Sequence, residues 1–224
     1  MYFSTDSAVP FEVKIYNNNA MIGTVIISKG APQIFSLNTN FIRTTNHSTA
    51  AVPNNMGIYT KGERPYFVSL RIALNAHGEI ITSKGKAGIG TRFYSAAAPI
   101  TASRSILNFT TGIMATEDNT NVTISGYDPG VKFKNIPTPT PPTINVTLNK
   151  GQSYILTGNA STLANWEGFI GAKIEATKPV SVTNGNSNGF YATGPIDGTD
   201  LIMDQSVPTD RLGNEFAMVK STST

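Results

Sequence analysis

The chain contains no cysteine. Disulfide bridges, thiolate metal sites and cysteine nucleophiles are therefore excluded at once. Histidine is nearly absent too, with two residues in 224. His47 lies in a polar segment and His77 in a predicted turn, and no Gly-x-Ser-x-Gly motif accompanies them, so nothing indicates a hydrolytic triad.

Charge is also sparse. Charged residues make up 14% of the chain, against about 25% in an average globular protein. The net charge is +3, and the basic residues are scattered along the sequence rather than clustered as a phosphate backbone requires. We therefore expect no nucleic-acid partner.

No apolar run approaches the roughly 20 residues that a membrane-spanning helix needs, so membrane insertion is not expected. No signal peptide is recognisable. Met1 leads directly into Tyr2-Phe3-Ser4, which is typical of the interior of a strand. We therefore expect a fragment of a larger protein, truncated in its first module, with its targeting sequence outside these residues.

The sequence that is present is rich in strand signals. Short segments with period-two alternation or β-branched and aromatic residues are separated by Gly, Pro and Asn turns, and no segment indicates a helix of three turns. The predicted strands include 11–16, 21–28, 33–37, 66–74, 79–83, 91–95, 121–125, 143–148, 153–157, 171–176, 179–184, 201–204 and 216–219. This pattern predicts an all-β fold of antiparallel β-sandwiches.

Three landmarks occur twice, in the same order and with similar spacing. They are Lys29-Gly30 and Lys150-Gly151, Gly57 with Pro65 and Gly171 with Pro179, and Ile89-Gly90-x-x-Phe93 and Leu212-Gly213-x-x-Phe216. The two copies are 121, 114 and 123 residues apart. We therefore predict two tandem, internally duplicated modules, at residues 1–100 and 101–224, with the boundary near Ala96 to Ser105.

Four segments carry a family resemblance: Ala115 to Ile124, Leu148 to Tyr154, Gly171 to Val182, and Asp204 to Phe216. In this order they resemble the N-terminal domain family of the IgG Fc-binding protein. Within it, the chain is most similar to large Bacteroidetes surface proteins that carry a gliding-motility-type C-terminal sorting domain.

The resemblance implies a secreted or cell-surface, all-β module without enzymatic activity, with binding or adhesion as its function. Vertebrate members have Cys near these motifs, and this chain has none. Binding of Fc is therefore not carried over. The expected partner is an unidentified extracellular protein or glycan, beside neighbouring domains of the same polypeptide.

A contact surface is predicted around Asn184 to Tyr191, which has the composition of a long polar loop ending in two aromatic residues. Loops on a rigid sandwich commonly carry binding sites. Trp166, the only tryptophan, is a further candidate, since aromatic residues form platforms for sugars and protein partners. The predicted surface comprises Trp166, Asn186, Asn188, Phe190 and Tyr191.

Two acidic segments have oxygen ligands of the kind calcium prefers, namely Glu117-Asp118-Asn119 and the group Asp197, Asp200 and Asp204. Neither has the spacing of a calcium loop, and Asp and Asn also hold tight turns through backbone hydrogen bonds. The turn interpretation is preferred, so no metal and no cofactor are predicted.

Two functions remain open at this stage. The first is a non-catalytic binding, adhesion or structural module of an extracellular protein. The second is a carbohydrate-active hydrolase with its cleft between the two modules, which would need two facing carboxylates.

Overall fold

The computed structural model describes residues 1–42, 48–74, 77–190 and 198–217. Within these residues the fold is all-β: antiparallel strands joined by turns and a few single-turn 3-10 segments. This confirms the predicted fold class. No helix in the part of the chain that the structure describes has the length and apolar character needed to cross a membrane.

The first seven strands form two small sheets. They are β1 (Tyr2–Ser4), β2 (Phe11–Asn17), β3 (Ala20–Ile27), β4 (Gln33–Ile34), β5 (Ile58–Gly62), β6 (Phe67–Leu74) and β7 (His77–Thr82). One sheet has the order β4-β1-β6-β7 and the other the order β3-β2-β5. We call these two sheets the N-terminal unit.

The alternation of buried and exposed residues in β2 explains how the N-terminal unit forms its core. Phe11, Val13 and Ile15 are buried while Glu12 and Lys14 are exposed, as a half-buried strand requires. Asn18 turns the chain into β3 with a φ of 52°, which Asn tolerates better than most residues. The inward side chains pack in a core with Phe3, Ile27 and Val68.

The remaining strands form one larger sheet. They are β8 (Ile89–Tyr94), β9 (Asn108–Ala115), β10 (Thr120–Ser125), β11 (Thr143–Leu148), β12 (Ser153–Asn159), β13 (Lys173–Gly189) and β14 (Asp200–Gln205). The main order is β11-β10-β13-β9-β12, and β8 and β14 also pair with β13. We call these strands the C-terminal unit.

Strand β13 organises the C-terminal unit. Its first part pairs with β10 and its second part with β9 and β14. The register with β8 shifts between Glu175 and Val180, where β13 passes from one set of partners to the other. One long strand thus belongs to both walls of a core that includes Phe93, Phe109, Ile113, Leu156 and Ile174.

The two units touch in two places. Strand β7 lies beside β14, where the Gly78 N–H donates to Asp200 Oδ1 at 3.1 Å and the Lys84 N–H donates to Gln205 Oε1 at 2.6 Å. Elsewhere, Ala50 and Asn54 form isolated bridges with β12 at Ile155 and Ser153. The division of the chain at residue 100 stays a prediction; β8 lies before it in sequence and pairs with β13.

Two local predictions were wrong. The predicted strands 171–176 and 179–184 are not separate, because Thr177 and Lys178 between them belong to β13, which continues through Pro179 at the register shift. The segment from Asn184 to Gly189 is not a loop but the end of the same strand. The strand predicted at 216–219 is tested only in part: residues 216 and 217 have no strand pairing, and residues 218 and 219 lie outside the described residues.

Candidate binding groove

A groove of about 2150 Å³ lies between the two units. Every residue from Met56 to Val68 lines it, which includes the whole of β5, while no residue of β2 or β3 does. Ile155 and Thr157 of the C-terminal unit line it as well, as does Ile106, which lies shortly before β9. The groove therefore runs along one edge of the N-terminal unit and faces the C-terminal unit.

That edge is open. Within the described residues β5 pairs with β2 on one side and with no strand on the other. An unpaired strand edge presents N–H and C=O groups that a further strand can bond. Ile58, Thr60 and Tyr66 are only half-buried here, so the core of the N-terminal unit is incompletely covered on this side.

Tyr66 covers part of the core on this side of the N-terminal unit. Its ring centroid lies 6.3 Å from that of Phe3 and 6.4 Å from that of Phe11. Its hydroxyl shares a hydrogen bond of 2.7 Å with the hydroxyl of Thr60. Burial raises the pKa of the Tyr66 phenol, and the Thr60 bond acts in the opposite direction. Tyr66 is thus packed as a core residue at the mouth of the groove.

The groove lining is basic. Its cationic side chains are Lys61, Arg64, Arg71, Lys84, Lys86, Lys132 and Lys134. Glu63 is the one acidic residue among the described lining residues. The fold thus gathers cations that are dispersed in the sequence, and the exposed side chains of Phe67 and Ile106 add apolar surface to the same groove.

The residues of the predicted contact surface do not share one exposed face. Asn186 is 1% exposed and Phe190 is 9% exposed. Trp166 is half-buried and donates from Nε1 to the Ala160 carbonyl at 3.1 Å. Asn188, also half-buried, donates to the Ile106 carbonyl at 3.1 Å. Tyr191 lies outside the described residues.

Asn186 holds two separate segments together. Its Oδ1 accepts from the Ala98 N–H at 2.8 Å, and its Nδ2 donates to the carbonyls of Ala98 at 2.9 Å and Asn108 at 2.8 Å. Phe190 packs with Ile100 and Leu107, and the Arg104 guanidinium lies 5.5 Å from its ring centroid. These contacts are internal, and whether Trp166 and Asn188 meet a partner stays a prediction.

The acidic segments bond to backbone and lysine groups. Asp118 Oδ1 accepts from the Lys150 N–H at 3.0 Å. Asp204 Oδ2 lies 2.6 Å from Lys84 Nζ, and Asp200 accepts from the β7 backbone as described above. Among the described residues no group of three His, Asp or Glu side chains is placed to hold a metal ion. Asp197 lies outside them.

Sequence reasoning missed the strand that forms the groove edge. Ile58–Gly62 is short, and its residues give no clean alternation of buried and exposed side chains. A signal was available nonetheless, because Gly57 matches Gly171 and a strand was predicted directly after Gly171. Applying the same rule after Gly57 locates β5.

No curated protein and no solved structure matches the chain. A family model described as IgGFc binding protein matches residues 80–224. Since this match covers more than half of the 224 residues, the chain belongs to the IgGFc binding protein family.

Proposed function

We propose that the chain is a non-catalytic binding module of an extracellular or cell-surface protein, and that it holds an extended segment of a protein partner in the groove along β5. The family name points to protein binding and to an extracellular setting. The observation that carries the proposal is the β5 edge that is open among the described residues, inside a groove whose described lining has seven cationic residues and one acid.

Strand addition suits this geometry. An extended peptide that pairs with an edge strand gains main-chain hydrogen bonds, and alternate side chains then give specificity. The apolar side chains at the groove favour a segment with apolar residues, and the cations favour acidic ones. Lys61, Arg64 and Arg71 form no ion pair among the described residues, so their charges are free to meet a ligand.

The competing function, hydrolysis of carbohydrate, has less support. Glycoside hydrolysis by the usual mechanisms needs two carboxylates that flank the scissile bond. The described part of the groove lining offers Glu63 alone. A cleft between the two units thus exists, but its chemistry favours holding an anionic or apolar segment.

A peptide selection tests the proposal. A random 12-residue library is selected on the wild-type chain, and the recovered peptides are measured on the double variant Lys61→Glu with Arg64→Glu. We expect acidic, alternately apolar peptides whose affinity falls at least about tenfold on that variant. The matched control is Lys29→Glu with Lys150→Glu, which makes the same charge change at exposed lysines outside the groove.

Three results would contradict the proposal. One is recovery of no binding peptide. Another is equal loss of affinity on the control variant, which would make net charge rather than the groove responsible. The third is equally tight binding of a single-stranded DNA oligonucleotide, which would show that the groove attracts any polyanion.

A further inference from the structure

The strand pairings of the two units correspond residue by residue. In the N-terminal unit Val13 faces Gly62, Phe3 faces Val68 and Ser69 faces Thr82. In the C-terminal unit Val122 faces Ala176, Ile113 faces Val182 and Thr183 faces Gln205. Gly62, Val68 and Ser69 each lie 114 residues before their counterparts, and Thr82 lies 123 residues before Gln205. The separations of 114 and 123 are those of two of the repeated landmarks, whereas Phe3 and Val13 lie 110 and 109 residues before Ile113 and Val122.

Strand β8 breaks this correspondence. It pairs with β13 from Lys173 to Glu175 and again at Val180 and Ser181. There it inserts Phe93, which is 0% exposed, into the core of the C-terminal unit. The matching edge of the N-terminal unit is β5 with the start of β6, and the described residues place no strand on it. The open groove is therefore the position that β8 fills in the other unit.

A second segment has the β8 sequence without a β8 partner. Leu212, Gly213 and Phe216 repeat Ile89, Gly90 and Phe93 at a separation of 123 residues. Every residue from Arg211 to Ala217 is exposed, and Phe216 is 72% exposed. The described residues thus contain an unfilled edge and an unpaired segment with the sequence of a strand that fills such an edge.

The ion pair between β8 and β13 has its two charges reversed in the corresponding residues of the unpaired segment and the β5 edge. Arg92 of β8 lies opposite Glu175 of β13, and the two side chains form an ion pair at 3.3 Å. The counterpart of Glu175 in the N-terminal unit is Lys61, and the counterpart of Arg92 in the unpaired segment is Glu215. The unpaired segment would therefore place the acid Glu215 opposite the base Lys61 of the open edge. Strand β8 in the same position would place Arg92 opposite Lys61, which are two like charges.

We propose that the segment Leu212–Phe216 of one copy of this chain adds as a strand to the β5 edge of a second copy. This rests on the proposed function of the groove and names its occupant. In the expected register Glu215 faces Lys61, Phe216 faces Thr60 and Gly213 faces Tyr66. The contact is head-to-tail, so repetition of it generates an open chain of copies rather than a closed dimer.

Tyr66 limits the affinity of this contact. Its counterpart in the C-terminal unit is Val180, which faces Gly90 of β8 and leaves room for Phe93. In the N-terminal unit the Tyr66 ring covers Phe3 and Phe11 at the place where Phe216 must enter. The ring therefore has to turn outward, and Tyr66→Val removes that cost.

Peptide titration tests the charge and the register. A labelled peptide of residues 208–217 is titrated with the full chain by fluorescence anisotropy. We expect the Phe216→Ala peptide to bind at least about tenfold more weakly, because it loses the burial of a whole aromatic side chain. The Glu215→Lys peptide binds weakly to the wild-type chain and regains affinity on the Lys61→Glu chain. Tyr66→Val binds the wild-type peptide more tightly.

A peptide of residues 85–94, which contains β8 and lies 123 residues before 208–217, is the matched control. It has the same landmark, an aliphatic residue and Gly followed by Phe, with Arg92 in place of the acid. It should therefore bind less tightly than the 208–217 peptide, and its Arg92→Glu form should recover. Equal binding of all these peptides would contradict the register. If selected acidic peptides bind the groove and the 208–217 peptide does not, this inference fails and the proposed function stands.

Disulfide trapping tests the second copy directly, since the chain has no cysteine of its own. Residues directly opposite in antiparallel strands are close enough for a disulfide. Mixing a Lys61→Cys chain with a Glu215→Cys chain should give an interchain dimer on a non-reducing gel. Asn214→Cys is the control, because neighbouring strand residues point to opposite faces.

Equal trapping through Asn214→Cys and Glu215→Cys would overturn the proposal. So would a Lys61→Cys, Glu215→Cys double variant that forms its disulfide only within one chain, since the segment would then fill its own edge. Sedimentation of the wild-type chain should show association that grows with concentration and is lost in Phe216→Ala.

Discussion

Arg92 and Glu175 face each other across the β8–β13 pair, with the guanidinium Nε 3.3 Å from Glu175 Oε1. Lys173 Nζ lies 2.9 Å from the other carboxylate oxygen. The hydrogen bond from Lys173 is the main cause of the lowered pKa of Glu175, and the charges of Lys173 and Arg92 add to it. The three side chains thus form an exposed ion-pair cluster across the β8–β13 pairing.

The Glu175 cluster predicts a pH dependence of stability. A carboxyl whose pKa is lower in the folded state stabilises the fold above its ordinary pKa, and this contribution is lost as the pH falls through the folded-state pKa. The unfolding free energy of the wild-type chain should therefore fall more between neutral and acid pH than that of Glu175→Gln. Urea unfolding at a series of pH values measures both slopes, and parallel slopes would rule out the cluster as the cause.

The Phe93 side chain predicts a large loss of stability on truncation. It is fully buried in the core of the C-terminal unit, so Phe93→Ala removes its burial and leaves a cavity. We expect a loss of about 3–5 kcal/mol in the free energy of unfolding. Tyr94→Ala is the control: Tyr94 is the next residue of β8, is 51% exposed, and should cost under about 1 kcal/mol. Equal losses would show that β8 is not part of that core.

The sequence predicted strands best where one face is buried and the other is exposed. Strand β2 and strand β10 alternate clearly and were located within a residue of their ends. Strand β9 was missed because it is buried on both faces, so Asn108–Ala115 has no polar side to produce a period of two. Its pairing with both β12 and β13 is a property of the whole sheet that a local pattern does not contain.

The candidate site was harder to predict for a different reason. Asn and Gly between Asn184 and Gly189 are typical of turns, but Asn184 and Asn186 are buried and bond to the backbone of segment 94–108. Tertiary contacts thus override the local preference. The groove, in turn, depends on an open edge, which becomes visible only when the pairings of β5 and β13 are compared.

Position 185 in β13 is predicted not to tolerate any residue larger than Gly. Its φ is +144°, and an added Cβ would lie 1.9 Å from the Ile202 carbonyl oxygen. Gly185→Ala therefore strains the backbone and separates β13 from β14, at a cost of about 2 kcal/mol or more. Gly112→Ala is the control, since nothing lies within 4 Å of its added Cβ. Thermal or chemical unfolding that ranks the two variants equally would contradict this account of Gly185.

Asn186 is predicted to contribute more to stability than the half-buried Asn188 two residues later. Asn186→Ala leaves the Ala98 N–H and the carbonyls of Ala98 and Asn108 without these bonds. A buried polar group that loses its partner costs about 1–3 kcal/mol, so we expect a loss of at least about 2 kcal/mol for the three. Asn188→Ala removes a single bond to the Ile106 carbonyl from a half-buried side chain and should cost under about 1 kcal/mol. Urea unfolding of both variants measures the difference. If a partner binds Asn188→Ala normally, and its binding to Asn186→Ala falls only in proportion to the unfolded fraction of that variant, then Asn186 serves the fold. If a fully folded Asn186→Ala variant does not bind the partner, Asn186 belongs to the contact surface.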